Sequence, residues 1–226
     1  MIYADDKGIY TNPRTQREQE ICYIKAPYCE YGDIFQLLMK PKCPVPGPIV
    51  RYLISQILCG LDALHGSDIA HCDIKPQNCL LDQNLELKLG DFESSHNPMN
   101  TVHGMRGTAG YMMPECSLEE YDGQEADYYA LGATTFVLVT GRPMYMQQNK
   151  KDKYFKHILN NDFPSFWKAH KLETVVHFKE FIEKFVDADP SNRMKSSDEV
   201  RSHPYMLKRT APKEEVLKYV KRIYNC

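Results

Sequence analysis

The sequence predicts an α+β domain. Three observations carry that prediction. Short stretches rich in β-branched and aromatic residues occur near the front. The spacing of an amphipathic helix takes over from residue 50 and again after residue 124. The strand-like runs stand apart from the helical ones instead of alternating with them, which is the α+β order and not that of a doubly wound parallel sheet.

Taken in order, residues 21–27, "ICYIKAP", read as a strand closed by a proline, after a polar loop "TNPRTQREQE". Residues 32–40, "GDIFQLLMK", predict a short helix. "PKCPVPGP" holds four prolines in eight residues and reads as a loop. Val50, Leu53, Ile54, Ile57, Leu58, Leu61 and Leu64 recur at i, i+3, i+4 and i+7, predicting a helix that ends near Gly66. "CLLD" and "LELKLGD" predict a hairpin turning at Asp82-Gln83-Asn84. Residues 91–124 lack periodicity and predict a long irregular loop, a kind of segment that is usually functional or disordered. Asp127 to Thr140 predicts a buried helix, Lys153 to Leu159 another, and Leu172 to Val186 an amphipathic one with apolar positions 172, 175, 178, 182 and 185. Ser197, with Glu199 two residues on, opens a short helix. Val216, Val220 and Ile223 form one stripe from Glu214 to Tyr224, the mark of a docking or capping helix.

Composition narrows the class. The 226 residues are 42% apolar and 26% charged, enough for a sizeable core. A net charge of −2, from 28 basic and 30 acidic residues, carries no nucleic-acid footprint and no polybasic membrane anchor. The eight cysteines form no Cys-x-x-Cys pair and no His cluster accompanies them, which argues against zinc; a chain this long without a signal peptide argues against a disulfide framework. The longest apolar run, Ala130 to Gly141, is too short to cross a bilayer. With no signal-like N-terminus, the expectation is a reduced intracellular protein, cytoplasmic or nuclear.

The chemistry gathers in "HCDIKPQNCLLD", which places a carboxylate (Asp73), an amine (Lys75) and an amide (Asn78) within six residues. "LKLGDFE" follows with Asp91 and Glu93. A carboxylate can accept a proton, an ammonium can hold a phosphate, and carboxylate and amide oxygens suit a hard cation.

The succession His71-x-Asp73-x-Lys75-Pro76-x-Asn78, Asp91-Phe92, "GTAGYMMPE" (Gly107 to Glu115), Asp127-x-x-x-x-Gly132 and Arg193 resembles the eukaryotic protein kinase domain, Ser/Thr type, over about residues 20 to 205. The resemblance implies a kinase-like fold, mainly the helical C-lobe, and ATP and Mg2+ as cofactors. It implies that Asp73 accepts or orients the substrate hydroxyl proton and that Lys75 sits by the γ-phosphate. Asn78 and Asp91 hold magnesium, and Leu80 floors the adenine. Lys75 and Thr108 stand where Ser/Thr kinases have them. Glu115 and Arg193 resemble a buried bracing ion pair, and Asp127 a helix residue that bonds back to the catalytic-loop backbone. His71 resembles a packed scaffold histidine. "APYCEYGDIF" resembles the hinge: Ala26 in the gatekeeper place, Cys29 offering its backbone N–H to adenine, Asp33 reaching the ribose.

The sequence departs from the family in three places. No G-x-G-x-x-G occurs, and neither Lys7 nor Lys25 has the context of the strand lysine that holds the α/β-phosphates. The expected division is therefore a truncated kinase domain over 1–208, with an N-lobe remnant at 1–27, a C-lobe at 28–208 and a helical tail at 209–226. Glu93 replaces the glycine after Asp91-Phe92. Cys72 replaces the arginine that gathers a phosphorylated loop, which removes that route of control. A further change, Met113 for alanine before Pro114-Glu115, is tolerable if the pocket is roomy. The function implied is ATP-dependent phosphoryl transfer to Ser/Thr of protein substrates, with very weak or no transfer from this chain alone. The alternative is a pseudokinase or scaffold that binds other proteins. A protein substrate or regulatory protein is the implied partner, with no membrane and no nucleic acid beyond ATP.

Overall fold

The computed structural model describes residues 3–97, 101–118, 120–173 and 176–224, and the chain divides into two compact units, the first ending at Glu30 and the second starting at Tyr31. The first unit is an antiparallel ribbon of β1 (Tyr3–Thr11) and β2 (Glu18–Lys25), with its register broken between Asp5 and Gly8. Its turn follows from Asn12-Pro13: Asn12 Oδ1 accepts the N–H groups of Arg14 and Thr15 at 2.9 and 3.1 Å. The expected polar loop is thus shorter, because Glu18 to Glu20 join β2, and the strand ends at Lys25, ahead of Pro27.

In the second unit the expected helix 32–40 contracts to one turn, α1 (Gln36–Met39). Gly32 takes a left-handed φ of 60° and Asp33 bridges to Leu80, so the backbone there is extended pairing and not helix. The proline-rich loop leads into α2 (Gly47–His65), whose buried face is the predicted stripe from Val50 to Leu61 with Ile49 and Arg51 added, while Leu64 is only half-buried. Pro46 stays extended and Pro48 sits in the first turn, where a missing N–H costs nothing. β3 (Cys79–Leu81) and β4 (Leu87–Leu89) form the predicted hairpin, and Asp82 Oδ1 accepts from Asn84 and Glu86 N–H to hold its turn. The stretch expected to be irregular contains one short ribbon, β5 (Val102–His103) with β6 (Glu120–Tyr121).

Asp122 caps α3 (Gly123–Thr140) by accepting from Gln124 and Glu125 N–H, and the helix is buried along most of its length. α4 (Phe155–Leu159), α5 (Phe163–His170), α6 (Val176–Val186), α7 (Ser197–Ser202) and α8 (Lys213–Tyr224) follow. Gly132 lets α3 meet α6 closely: a Cβ there would come within 2.4 Å of Phe185 Cβ. The helix predicted from Leu172 does not begin there. Lys171 ends α5 in a left-handed turn, φ 52°, Leu172 lies outside any helix, and Val175 falls outside the described residues. The helix α7 does open at Ser197, as expected. The residue before it, Ser196, caps it in a reciprocal capping box with Glu199.

α8 docks through Val216, Tyr219 and Val220, and the segment before it is tied to α2, where Arg51 donates two bonds to the Arg209 carbonyl at 3.0 and 2.6 Å. Its last residue, Tyr224, meets Tyr31 edge-on at 5.7 Å, with Lys40 Nζ 3.5 Å over its ring. Among the described residues no helix is long and apolar enough to cross a membrane.

Candidate active site

The loop from His71 to Asn78 is held from three sides. From α3, Asp127, fully buried, accepts from His71 N–H at 2.8 Å and Cys72 N–H at 2.7 Å. Its Oδ2 also meets His65 Nε2 at 2.9 Å, a partner from the end of α2 that sequence reasoning missed and that a histidine in a last helical turn does not advertise. Below the loop, His71 Nε2 donates to the Gly90 carbonyl at 3.0 Å and Nδ1 accepts from Asp73 N–H at 3.3 Å. Those partners fix the neutral Nε2–H tautomer, so His71 is scaffold, joining the Asp73 loop to the residue before Asp91. From the 101–118 segment, Gly107 comes so close that a Cβ would lie 2.5 Å from the Cys72 carbonyl; its φ of 103° is open to glycine alone at low cost.

Inside this frame the polar groups converge on Asp73, which is 8% exposed. Its Oδ2 accepts from Lys75 Nζ at 2.6 Å and Asn78 Nδ2 at 3.0 Å, and Oδ1 accepts from Thr108 Oγ1 at 2.7 Å. Lys75 Nζ also donates to Thr108 Oγ1 at 2.8 Å. Asn78 Nδ2 donates again to the Asp73 carbonyl at 2.9 Å, and among the described residues the amide oxygen has no hydrogen-bond partner. On sequence alone Thr108 is a mark of class; its contact with both Asp73 and Lys75 across 33 to 35 residues emerges only in three dimensions.

Asp91 sits at the other end. It is exposed, with a left-handed φ of 61°, and Gly90 N–H donates to the Asn78 carbonyl at 2.9 Å, coupling the two candidate metal ligands through the main chain. Glu93 carries no such backbone demand: its φ is not positive, so glutamate fits the turn without left-handed strain. Phe92 is 42% exposed and lies 5.1 Å from the His71 ring. Asp33 and Leu80 form an antiparallel bridge, reinforced by Ile34 N–H to the Cys79 carbonyl at 2.9 Å and Leu81 N–H to the Gly32 carbonyl at 2.8 Å. Leu80 packs at Gly90, within 3.2 Å of where a Cβ would stand. Asp33 Oδ1 is buried with no hydrogen-bond partner among the described residues. The larger unit thus brings Asp33, Asp73, Lys75, Asn78, Leu80 and Asp91 onto one structural frame. Ala26, exposed, and Cys29, half-buried, follow β2 in the smaller unit.

The expected Glu115–Arg193 pair beside this frame is present. Arg193 grips Glu115 through both guanidinium nitrogens at 2.9 and 2.8 Å and donates to the Asp187 carbonyl at 2.7 Å. Cys72 is buried, and that burial, with Asp127 nearby, pushes its thiol up to about 12, so it is not a thiolate nucleophile.

The sequence model of the protein kinase domain matches residues 7–206. The chain belongs to the protein kinase family. Relatives of this kinase chain include "Protein kinase 3" of Dictyostelium discoideum, 28% identical over 205 residues, 84% of this chain and 22% of the relative. "Serine/threonine-protein kinase PKH1" of Saccharomyces cerevisiae is 28% identical over 219 residues, 87% of this chain and 27% of the relative. "cAMP-dependent protein kinase type 3" of the same yeast is 25% identical over 193 residues, 84% of this chain and 47% of the relative. The kinase chain therefore spans from about a fifth to about half the length of the relatives it matches. The fold is kinase-like, helix-rich with limited sheet, and the family as a whole uses ATP and magnesium.

Proposed function

We propose that the chain carries the phosphoryl-transfer centre of a Ser/Thr protein kinase. The observation that carries this reading is the convergence of Lys75, Asn78 and Thr108 on one buried carboxylate, Asp73. Phosphoryl transfer asks a protein chiefly for positioning and charge neutralisation, which this cluster offers. Asp73, oriented by three donors, keeps lone pairs to accept the proton of an acceptor hydroxyl. Lys75 balances that carboxylate now and can turn to a phosphoryl oxygen as it arrives.

The residues also fit the nucleotide and its metal. The Asn78 amide oxygen and the Asp91 carboxylate are hard oxygen donors, and two protein ligands suit magnesium, which takes its remaining ligands from phosphates and water. The partnerless Asp33 Oδ1 suits a sugar hydroxyl donor above Leu80. Bound, Mg·ATP supplies the phosphoryl group and the neutralising cation. Ala26 and Cys29 are the hinge positions we assign to the adenine edge.

A second reading has its own support. No glycine-rich phosphate loop occurs in the 226 residues, and no lysine has the strand context that the α/β-phosphates need. The backbone-compatible Glu93 adds negative charge beside Asp91. On that reading the domain is a pseudokinase or scaffold that binds proteins without transferring phosphate.

Phosphate transfer to a generic protein substrate separates the two. Transfer by residues 1–226 that falls at least about a thousandfold in Asp73→Asn supports the enzyme, since general-base and orienting roles contribute on that order. No transfer, with unchanged folding, supports the scaffold.

A further inference from the structure

A cleft of about 740 Å³ opens in the larger unit and touches the candidate centre at two points. One is Gln77, the neighbour of Asn78. The other is Tyr111, whose hydroxyl is pushed up to about 12, first by burial and then by the charge of Asp73 nearby. The far walls are apolar: Phe35 and Leu38 from the start of the unit, Pro44 from the proline-rich loop, Val137 from α3. Two methionines on its rim, Met39 and Met146, are 52% and 64% exposed. Large apolar side chains left in water around a concavity mark a binding surface, and flexible thioethers mould to varied side chains.

The charge on this surface has one sign. Lys42 and Arg142 line it, and no aspartate or glutamate does. Lys42 is exposed on a left-handed turn, φ 51°, and no ion pair to it occurs among the described residues. Arg142 spends one guanidinium N–H on the His170 carbonyl at 3.2 Å. The acid next to the rim, Asp152, is already committed. Its Oδ2 accepts from Met146 and Gln147 N–H at 3.0 Å each, and its Oδ1 accepts from Tyr154 and Phe155 N–H at 2.8 and 3.0 Å. Gln77, at the mouth beside the centre, is neutral. A chain lying here meets two cations and no counter-charge.

Resting on the phosphoryl-transfer reading, we propose that this cleft seats the substrate polypeptide beside its acceptor hydroxyl and selects apolar side chains accompanied by an acidic residue, against basic ones. The apolar walls supply the burial. Lys42 and Arg142 supply both the attraction for a carboxylate and the like-charge penalty for Lys or Arg, so selection has a favourable and a repulsive element.

Binding tests this without relying on catalysis. Two short fluorescent peptides share a central serine flanked by Leu and Met; one carries Glu at the outer positions, the other Arg. Anisotropy titration of residues 1–226 is expected to give the Glu peptide at least a tenfold lower Kd, and the double variant Lys42→Glu, Arg142→Glu is expected to erase or reverse that ratio. Met39→Ala, which removes apolar surface without adding charge, should weaken both peptides together, with circular dichroism reporting that each variant is folded. Equal binding, tighter binding of the Arg peptide, no binding of either at millimolar concentration, or a preference that survives the charge reversal overturns the proposal. A thermal shift with Mg·ATP on the same sample reads the parent function separately. Acidic preference without nucleotide binding keeps the cleft and removes the kinase reading. Nucleotide binding without preference does the opposite.

Discussion

The two ends of the candidate centre differ in how much of their geometry the fold supplies in advance. Around Asp73 nearly every polar atom is buried and partnered: three donors on the carboxylate, His71 locked in one tautomer, Asp127 holding the backbone from behind. Around Asp91 the side chains are exposed, and its links to the rest run through the main chain of Gly90. Buried polar networks of the first kind cost heavily to break, because a partner removed leaves another group desolvated and unsatisfied. Exposed acids of the second kind contribute little to folding and are free to act on a ligand. The base end belongs to the folded state itself; the metal end gains its energetic meaning when phosphates and a cation arrive.

The largest effect expected on folding falls at the back of the buried end. Asp127→Ala removes the acceptor for His71 and Cys72 N–H and for His65, all inside the protein. Leaving those donors unsatisfied should cost about 3 kcal/mol or more. Urea unfolding measures it through a lower midpoint at unchanged slope. A loss under about 1 kcal/mol would mean that water or a shifted loop takes over the acceptor role, and the claim that the base end is built by the fold would go with it.

Asp91→Asn probes the opposite end and should divide two quantities that Asp127→Ala merges. Unliganded stability should stay within about 0.5 kcal/mol of the parent, as for most exposed substitutions. The gain from Mg·ATP, about 2.7 kcal/mol for the parent at a hundred times Kd, should largely vanish. Differential scanning fluorimetry with and without nucleotide reads both. A large drop in the unliganded protein would show that Asp91 is structural after all and would blur the contrast between the ends.

Thr108 joins a separate segment to the buried end and tests whether that segment only covers Asp73 or also orients it. Thr108→Val keeps the shape and deletes bonds to both Asp73 and Lys75. Transfer or, failing transfer, peptide binding should fall about tenfold, one hydrogen bond to a charged group being worth about 1.5 kcal/mol or more. Thr108→Ser should restore most of it. A valine variant as active as the parent would reduce Thr108 to packing.

How much of this was legible follows the same division. The His71–Asn78 run, Asp91, Asp127 and the Glu115–Arg193 pair could be picked out because their chemistry demands particular residue types at particular spacings. The α2 stripe and the Asp82 turn were legible because local periodicity and turn chemistry decide them. The rest was set by tertiary contact. α1 shrank because residues 31–34 pair with β3, a contact that outweighs the helical look of "GDIFQLLMK". α5 went unseen because it is short, although Asp162 ahead of Phe163-Pro164 is a readable start: Asp162 Oδ1 accepts from Ser165 N–H at 3.2 Å. The α7 cap was legible as Ser196-x-x-Glu199, a spacing of three that fixes the cap one residue before the helix. His65 had no local signature, and Thr108 carried a class signature but not its contacts, since the partners lie 62, 33 and 35 residues away.

The smallest effect concerns acid, and it guards any pH profile taken at either end. His170 lies under the cleft region, stacked on Tyr154 at 3.8 Å, with Nε2 donating to the Met144 carbonyl at 3.0 Å. Burial lowers its pKa to about 4, with Arg142 and Lys153 adding to the depression. Its unfolded value is near 6.5, so between pH 6.5 and 4 the unfolded chain binds a proton that the folded chain refuses. Stability from this group is therefore complete above about pH 6.5 and erodes as pH falls toward 4. The loss from pH 7 to pH 5 should be about 1 to 2 kcal/mol, since each tenfold difference in proton affinity is worth about 1.4 kcal/mol and the two states diverge over roughly the pH units between 6.5 and 5. Chemical denaturation at the two pH values, repeated for His170→Gln, isolates the slope from the packing cost of the substitution. A parent slope that disappears in the variant assigns the acid loss to the helical body. A slope that persists would move it elsewhere, and His203, whose pKa burial also lowers, would be the next place to look.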